Sequence, residues 1–203
     1  MNAPAVTIPP TTEIGTPFEG GFYVGTIRVN DVPHILIVSP AAQGDHDDVA
    51  WSASRAHVDG ATSFNDGRAN TEAMAAAGSK LARWALALDI NGHTDWYLPA
   101  RDELELLYRH LKPTAETNWC WRGDNPSSIP VGYAYSRGTP AQTSVEAFQQ
   151  GGPEALRAVA YWSSTQYAGG ESNAWCQGFD VGYQCDCRKV NELRARAVRR
   201  LPI

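Results

Sequence analysis

"HTDWYLPARDELELLY", His93 to Tyr108, is the stretch on which the reading of the fold turns. Trp96-Tyr97-Leu98 makes a short apolar step. Pro99 pushes Leu98 into an extended conformation, because the proline ring crowds the backbone of the residue before it. A helix therefore starts only near Arg101, with Asp102 and Glu103 at its positive end. Leu104, Leu107, Tyr108 and Leu111 fall at helical spacing and form its buried stripe. The order is strand, stop, helix. His93 and Asp95, just upstream, read as a turn hydrogen bond and not as an acid–base pair.

Upstream, Asn91-Gly92 closes a preceding unit. There the spacing of Met74, Ala77, Leu81, Ala85 and Leu88 predicts one helix over 71–88, with Asn70 as its N-cap and Glu72 in its first turn. "GATSFNDGRANT" and "AAQGDHDDVAWSAS" read as polar loops. Two strands are predicted over 22–28 and 34–38, with Asn30-Asp31 as the turn between them. Downstream, residues 112–160 change character. "NWCWRGDNPSSIPVGYAYSRGTP" scatters aromatics among turn residues, and one short helix is expected over 145–150. "YWSST", "NAWCQGFD" and "LRARAVRRL" then read as three strands.

The chain has 203 residues, of which 43% are apolar and 19% charged. This is enough for one core carrying a loop-rich insertion. The net charge of −5 argues against bulk nucleic-acid binding. Arg188, Lys189, Arg194, Arg196, Arg199 and Arg200 crowd one end of the chain. They read as solvated or structural charge, with Arg196 predicted mid-strand, buried and paired to a carboxylate. No apolar run is long enough to cross a bilayer, and the first residues lack the pattern of a signal peptide. Residues 1–17 read as an extended, proline-stiffened arm, ordered only where it meets a partner. No spacing of Cys120, Cys176, Cys185 and Cys187 matches a zinc ribbon. Asp45, Asp47 and Asp48 offer hard-cation ligands without the rest of a calcium loop. No metal or cofactor is expected.

"GATSFNDGRANTEAM", "DWYLPARDELELLY", "YWSSTQY", "NAWCQGFDVG" and "RARAVRR", in this order, resemble the bacterial and phage family named for the C-terminal domain of the Legionella collagen-like protein. The resemblance implies a C-type-lectin-like α+β fold over 18–203. In it two helices flank small antiparallel sheets, with long irregular loops and an insertion at about 112–160. It also implies a central strand at Trp162-Ser163-Ser164. Ala100 replaces the Ser or Thr usual in the family at the helix cap, which implies a weaker helix start. The calcium signatures of sugar-binding lectins are absent.

The residue types of a recognition surface are concentrated in the insertion, where rings alternate with polar groups. Trp119, Trp121, Arg122, Asp124, Asn125, Tyr133 and Tyr135 are the candidates there, with Tyr167 and Tyr183 beyond it. Arg122-Gly123-Asp124 matches an integrin-binding tripeptide by chance. In "NAWCQGFDVGYQCDC" a two-residue turn at Val181-Gly182 would set Cys176 opposite Cys187, reduced and covered by the insertion. Trp175, Gln177 and Phe179 would then face the core. The expected function is a non-catalytic binding module, a phage tail-tip or fibre adhesin recognising a bacterial surface glycan or protein. It would assemble in the host cytoplasm into a virion, bind other virion or tail proteins through the arm, and form a homotrimer. The alternatives are a structural virion component, such as a decoration or baseplate protein, and an oxidase related to the formylglycine-generating enzymes.

Overall fold

A computed structural model of the chain describes residues 13–120 and 123–203. Its elements are β1 (Pro17–Phe18), β2 (Gly21–Val29), β3 (Val32–Val38), α1 (Ala41–Gly44), β4 (Asp45–Ala50), α2 (Gly67–Ala76), α3 (Lys80–Leu86), α4 (Arg101–Leu111), β5 (Ser128–Ile129), a 3₁₀ turn (Glu146–Phe148), β6 (Ala160–Gln166), β7 (Asn173–Gly178), β8 (Gln184–Arg188), β9 (Glu192–Arg196) and β10 (Val198–Pro202). The protein is α+β. One sheet runs β1-β2-β3-β10, with β5 also on β2, and the other runs β4-β9-β6-β7-β8. All pairings are antiparallel except β6 with β9, which is parallel.

The opening stretch keeps its stop and its helix, but Trp96-Tyr97-Leu98 forms no strand and pairs only through an isolated bridge at Tyr97. Trp96, Tyr97 and Leu98 are fully buried. Tyr97 bridges to Val198, and the Trp96 indole donates to His93 O at 2.9 Å. Helix α4 then packs its leucines and Tyr108 against β2 residues Val24, Ile27 and Val29. The expected stripe is wider than one face, because Leu106, Asp102, Glu103 and Glu105 are also buried. The weak start implied by Ala100 is repaired from outside. Thr165 Oγ1 on β6 accepts from Arg101 N at 2.9 Å, and Glu103 Oε2 accepts from Ala100 N at 2.8 Å. Both are groups that a helix start otherwise leaves unpaired.

Several expectations are corrected. The helix over 71–88 is two helices. Gly78, at φ +94°, ends α2 with Ser79 N bonded back to Met74 O, and the Ser79 side chain then caps α3. Asp66, not Asn70, caps α2, while Asn70 is buried and bonded to Ser63. The loop after β3 holds α1 and β4, and β4 pairs β9, so Asp45 and His46 are strand residues. "LRARAVRRL" is two strands in different sheets, separated at Ala197. Ala197 is itself bonded to Gly44 O and Ser39 N. Arg196 is thus the last residue of its strand. It is fully buried, bonded to Ser39 O at 2.9 Å and paired to Asp45 and Glu154, both at 3.2 Å. Of the N-terminal arm, residues 13–17 lie on their own domain. Ile14 packs on the core, Gly15 N donates to Tyr23 O, and Tyr23 N donates to Thr16 O. Residues 1–12 lie outside the described residues.

The second sheet has its own core. Trp51 and Trp162 are buried there with Met74, Leu81 and Leu98. Each indole N–H is satisfied across the sheet, Trp51 to Ser163 O at 2.9 Å and Trp162 to Val49 O at 2.8 Å. Buried tryptophans require such partners. No helix among the described residues is long and apolar enough to cross a membrane.

Candidate functional site

The insertion is pinned to α4 by charge. Glu105 and Arg109 lie one turn apart on the helix and pair at 2.7 Å. Glu105 also accepts from Asn125 Nδ2 at 2.6 Å and from Tyr135 OH at 2.8 Å. Burial raises the Glu105 carboxyl above its usual range, opposed first by Arg109 and then by these two donors. Arg109 donates to Tyr133 O at 2.9 Å and lies over the Tyr135 ring at 5.2 Å. Gly123, at φ +84°, sits where a Cβ would enter that ring, which accounts for the glycine of the Arg-Gly-Asp tripeptide. Asn125 and Tyr135 are therefore structural. Both were expected in the binding set, and both are buried because they neutralise polar groups of α4.

A second set of bonds positions Trp119. The Asn118 amide receives Tyr108 OH at 2.7 Å and Lys112 Nζ at 2.8 Å, and donates to Pro140 O at 2.8 Å. Trp119 N donates to Val181 O at 2.8 Å, tying the insertion to the loop between β7 and β8. The Trp119 side chain remains 54% exposed and meets the Tyr183 ring edge-on at 5.8 Å. It stands between two hollows. One, about 420 Å³, is lined by Trp119, Val159, Asp180, Tyr183 and Cys185. The other, about 500 Å³, is lined by Trp119, Cys120, Arg137 and Val181. Tyr133 is 81% exposed and Asp124 is exposed. Trp121 and Arg122 lie outside the described residues.

Tyr167 belongs elsewhere. It packs edge-on to Trp175 at 5.2 Å, beside Phe64, with Arg101 over the Phe64 ring at 4.5 Å. Of the expected residues, the fold thus brings Trp119 and Tyr183 together, leaves Tyr133 and Asp124 exposed, and separates Tyr167. Sequence reasoning missed Val159 and Asp180 in the cleft. Val159 precedes a predicted strand and Asp180 ends one, and no spacing rule marks either.

The β7–β8 connection is also corrected. Gly178 faces Tyr183 across a four-residue loop, so Cys176 lies opposite Cys185 and Ala174 opposite Cys187. Phe179 causes this. It leaves the ladder to pack between Tyr108 and Tyr161, with ring centroids at 5.6 and 5.1 Å. The shift is by two residues, so each side chain keeps its face. Among its described residues the insertion does not pack over the cysteine face. It packs on the opposite face, where Gln177 Nε2 donates to Tyr135 OH at 3.1 Å, and reaches Cys185 only at the rim of the cleft. Cys176 packs on the Trp51–Trp162 core, whereas Cys120 is exposed and bonded to Asn118 O.

Most of the crowded charges are internal ties. Arg194 pairs with Asp45 at 2.8 Å and with Asp47, Arg199 with Asp95 at 2.7 Å, and Arg200 with Asp66 at 2.8 Å. Two members of the Asp45–Asp48 group are thereby committed to arginine. A family model described as the Lcl C-terminal domain matches residues 42–199, well over half of the chain. No curated protein matches it.

Proposed function

Because this chain belongs to the Lcl C-terminal domain family, we propose that it is a non-catalytic binding module of the adhesion-related kind. More narrowly, it is a phage tail-tip or fibre adhesin of C-type-lectin-like fold that recognises a bacterial surface glycan or protein. In this reading it is carried on the virion, assembled as a homotrimer and attached through the N-terminal arm.

The observation that carries the reading is Trp119. A tryptophan more than half exposed is held by backbone and Asn118 bonds, edge-on to Tyr183, at the wall of an apolar cleft. Rigid aromatic groups of this kind supply binding energy with little ordering cost on association. Tyr133 and Asp124 extend the same insertion towards solvent. The test is adsorption of the purified chain to a panel of bacterial cells, with particles probed for the protein in parallel. Trp119→Ala is expected to lower cell binding at least about tenfold, the loss of roughly 1.4 kcal/mol that marks an interface anchor. Its thermal stability should stay close to the parent's. A protein that binds no cells and is absent from particles defeats the proposal. Protein found on particles whose removal leaves adsorption unchanged is a structural virion component instead.

A further inference from the structure

We propose that Cys176, Cys185 and Cys187 form a three-thiolate site for a thiophilic closed-shell metal ion of the zinc class. The site follows from the corrected hairpin register. Cys176 lies directly opposite Cys185, and Cys187 is two residues further along β8 on the same face. Asp186, between them, points the other way and accepts from Asn173 Nδ2 at 2.7 Å. Cys176 Sγ is 3.4 Å from Cys185 Sγ and 3.3 Å from Cys187 Sγ, and all three sulfurs lie within 4.8 Å of one another. Tetrahedral zinc with bonds of about 2.3 Å needs sulfurs about 3.8 Å apart, so small side-chain rotations complete the triangle.

One further feature favours an ion over plain core packing. Cys185 and Cys187 are only half-buried, and Cys185 lines the Trp119 cleft, so one edge of the cluster borders an open hollow. On binding, each sulfur exchanges its proton, where it still has one, for a bond to the ion. No electron is transferred and no oxidant is required. Three protein ligands leave a fourth position for water or an outside donor. This inference is independent of surface recognition, so either can fail alone.

The test uses the full chain kept reduced with a phosphine. Cadmium is titrated in while the thiolate-to-metal charge-transfer band is followed, and zinc affinity is measured against a chromophoric chelator. One ion per chain is expected, with Cys120→Ser unchanged. Cys187→Ser and Cys185→Ala, both at half-buried positions, should each weaken binding by more than about a hundredfold, the upper end of what outer-shell partners cost. Circular dichroism of each variant separates lost binding from lost folding. The proposal is overturned if the charge-transfer band does not form, if it is lost with Cys120→Ser, or if it persists at full strength in both cluster variants. In a parallel sample exposed to air without phosphine, a disulfide within the cluster that forms equally fast with and without stoichiometric zinc overturns it as well.

Discussion

Arg196 and Glu103 are fully buried charged residues that each join several segments. Arg196 ties the end of β9 to Ser39, Asp45 and Glu154, which lie far apart in sequence. Removing it leaves the Glu154 and Asp45 carboxylates at a buried junction, although Asp45 keeps Arg194. Arg196→Met is expected to cost about 3–5 kcal/mol in denaturant unfolding, and a loss below about 1 kcal/mol would contradict its role. Glu103 is fully buried, accepts from Tyr97 OH at 2.7 Å, and lies 3.6 Å from Arg200. Burial dominates and raises its carboxyl from 4.5 to about 7. The folded protein therefore holds a proton that the unfolded chain releases near 4.5. The stability Glu103 contributes is fully present below that pH and is lost as pH rises through about 7. Unfolding curves of Glu103→Gln and the parent, compared across that window, should show the parent declining with pH relative to the variant. Parallel pH profiles would rule this out.

Among the elements, α4 illustrates how the fold compensates a poor local sequence. Ala100 has no side-chain acceptor, and Thr165 supplies one from β6 while its own hydroxyl donates to Ser63 O at 2.8 Å. Thr165→Val removes these bonds and a longer one from Asn70 Nδ2 without changing shape and should cost about 1–2 kcal/mol. A smaller change would mean that water takes over the Arg101 N–H. The break between α2 and α3 rests on Gly78, whose left-handed backbone an L side chain adopts at a cost of about 1–2 kcal/mol. No crowding adds to this, because the nearest atom to a new Cβ is 3.9 Å away on the Arg83 side chain. Gly78→Ala should therefore lose about that amount in thermal unfolding. Gly138→Ala, at an open position without positive φ, should lose little.

At the scale of the molecule, the two sheets share their chain segments. β3 and β4 follow one another but lie in different sheets, as do β9 and β10, and α4 touches strands of both. Opening either sheet would disturb α4, which packs on strands of both. Calorimetry is expected to show a single transition with matching calorimetric and van't Hoff enthalpies. Two resolved transitions would show that the sheets are separate cooperative units.

Local sequence set the stop at Pro99 and the start of α4 after it, the β2–β3 hairpin turning at Asn30-Asp31, the burial of Arg196 and the family. These depend on neighbours within a few residues, on steric rules at proline and turns, or on ordered motifs. Asn125 and Tyr135 carry the same polar-aromatic signature as Trp119 and Tyr133. Only the packing of the insertion on Glu105 and Arg109 decided which pair would be buried and which exposed. β4 escaped notice because "DHDDVA" looks like a loop until Arg194 and Arg196 arrive from the far end of the chain to pair its carboxylates. The cysteine triangle was hidden for a related reason. Its geometry depends on a four-residue loop, and that loop length was fixed by Phe179 finding its place between Tyr108 and Tyr161, a contact between segments distant in sequence.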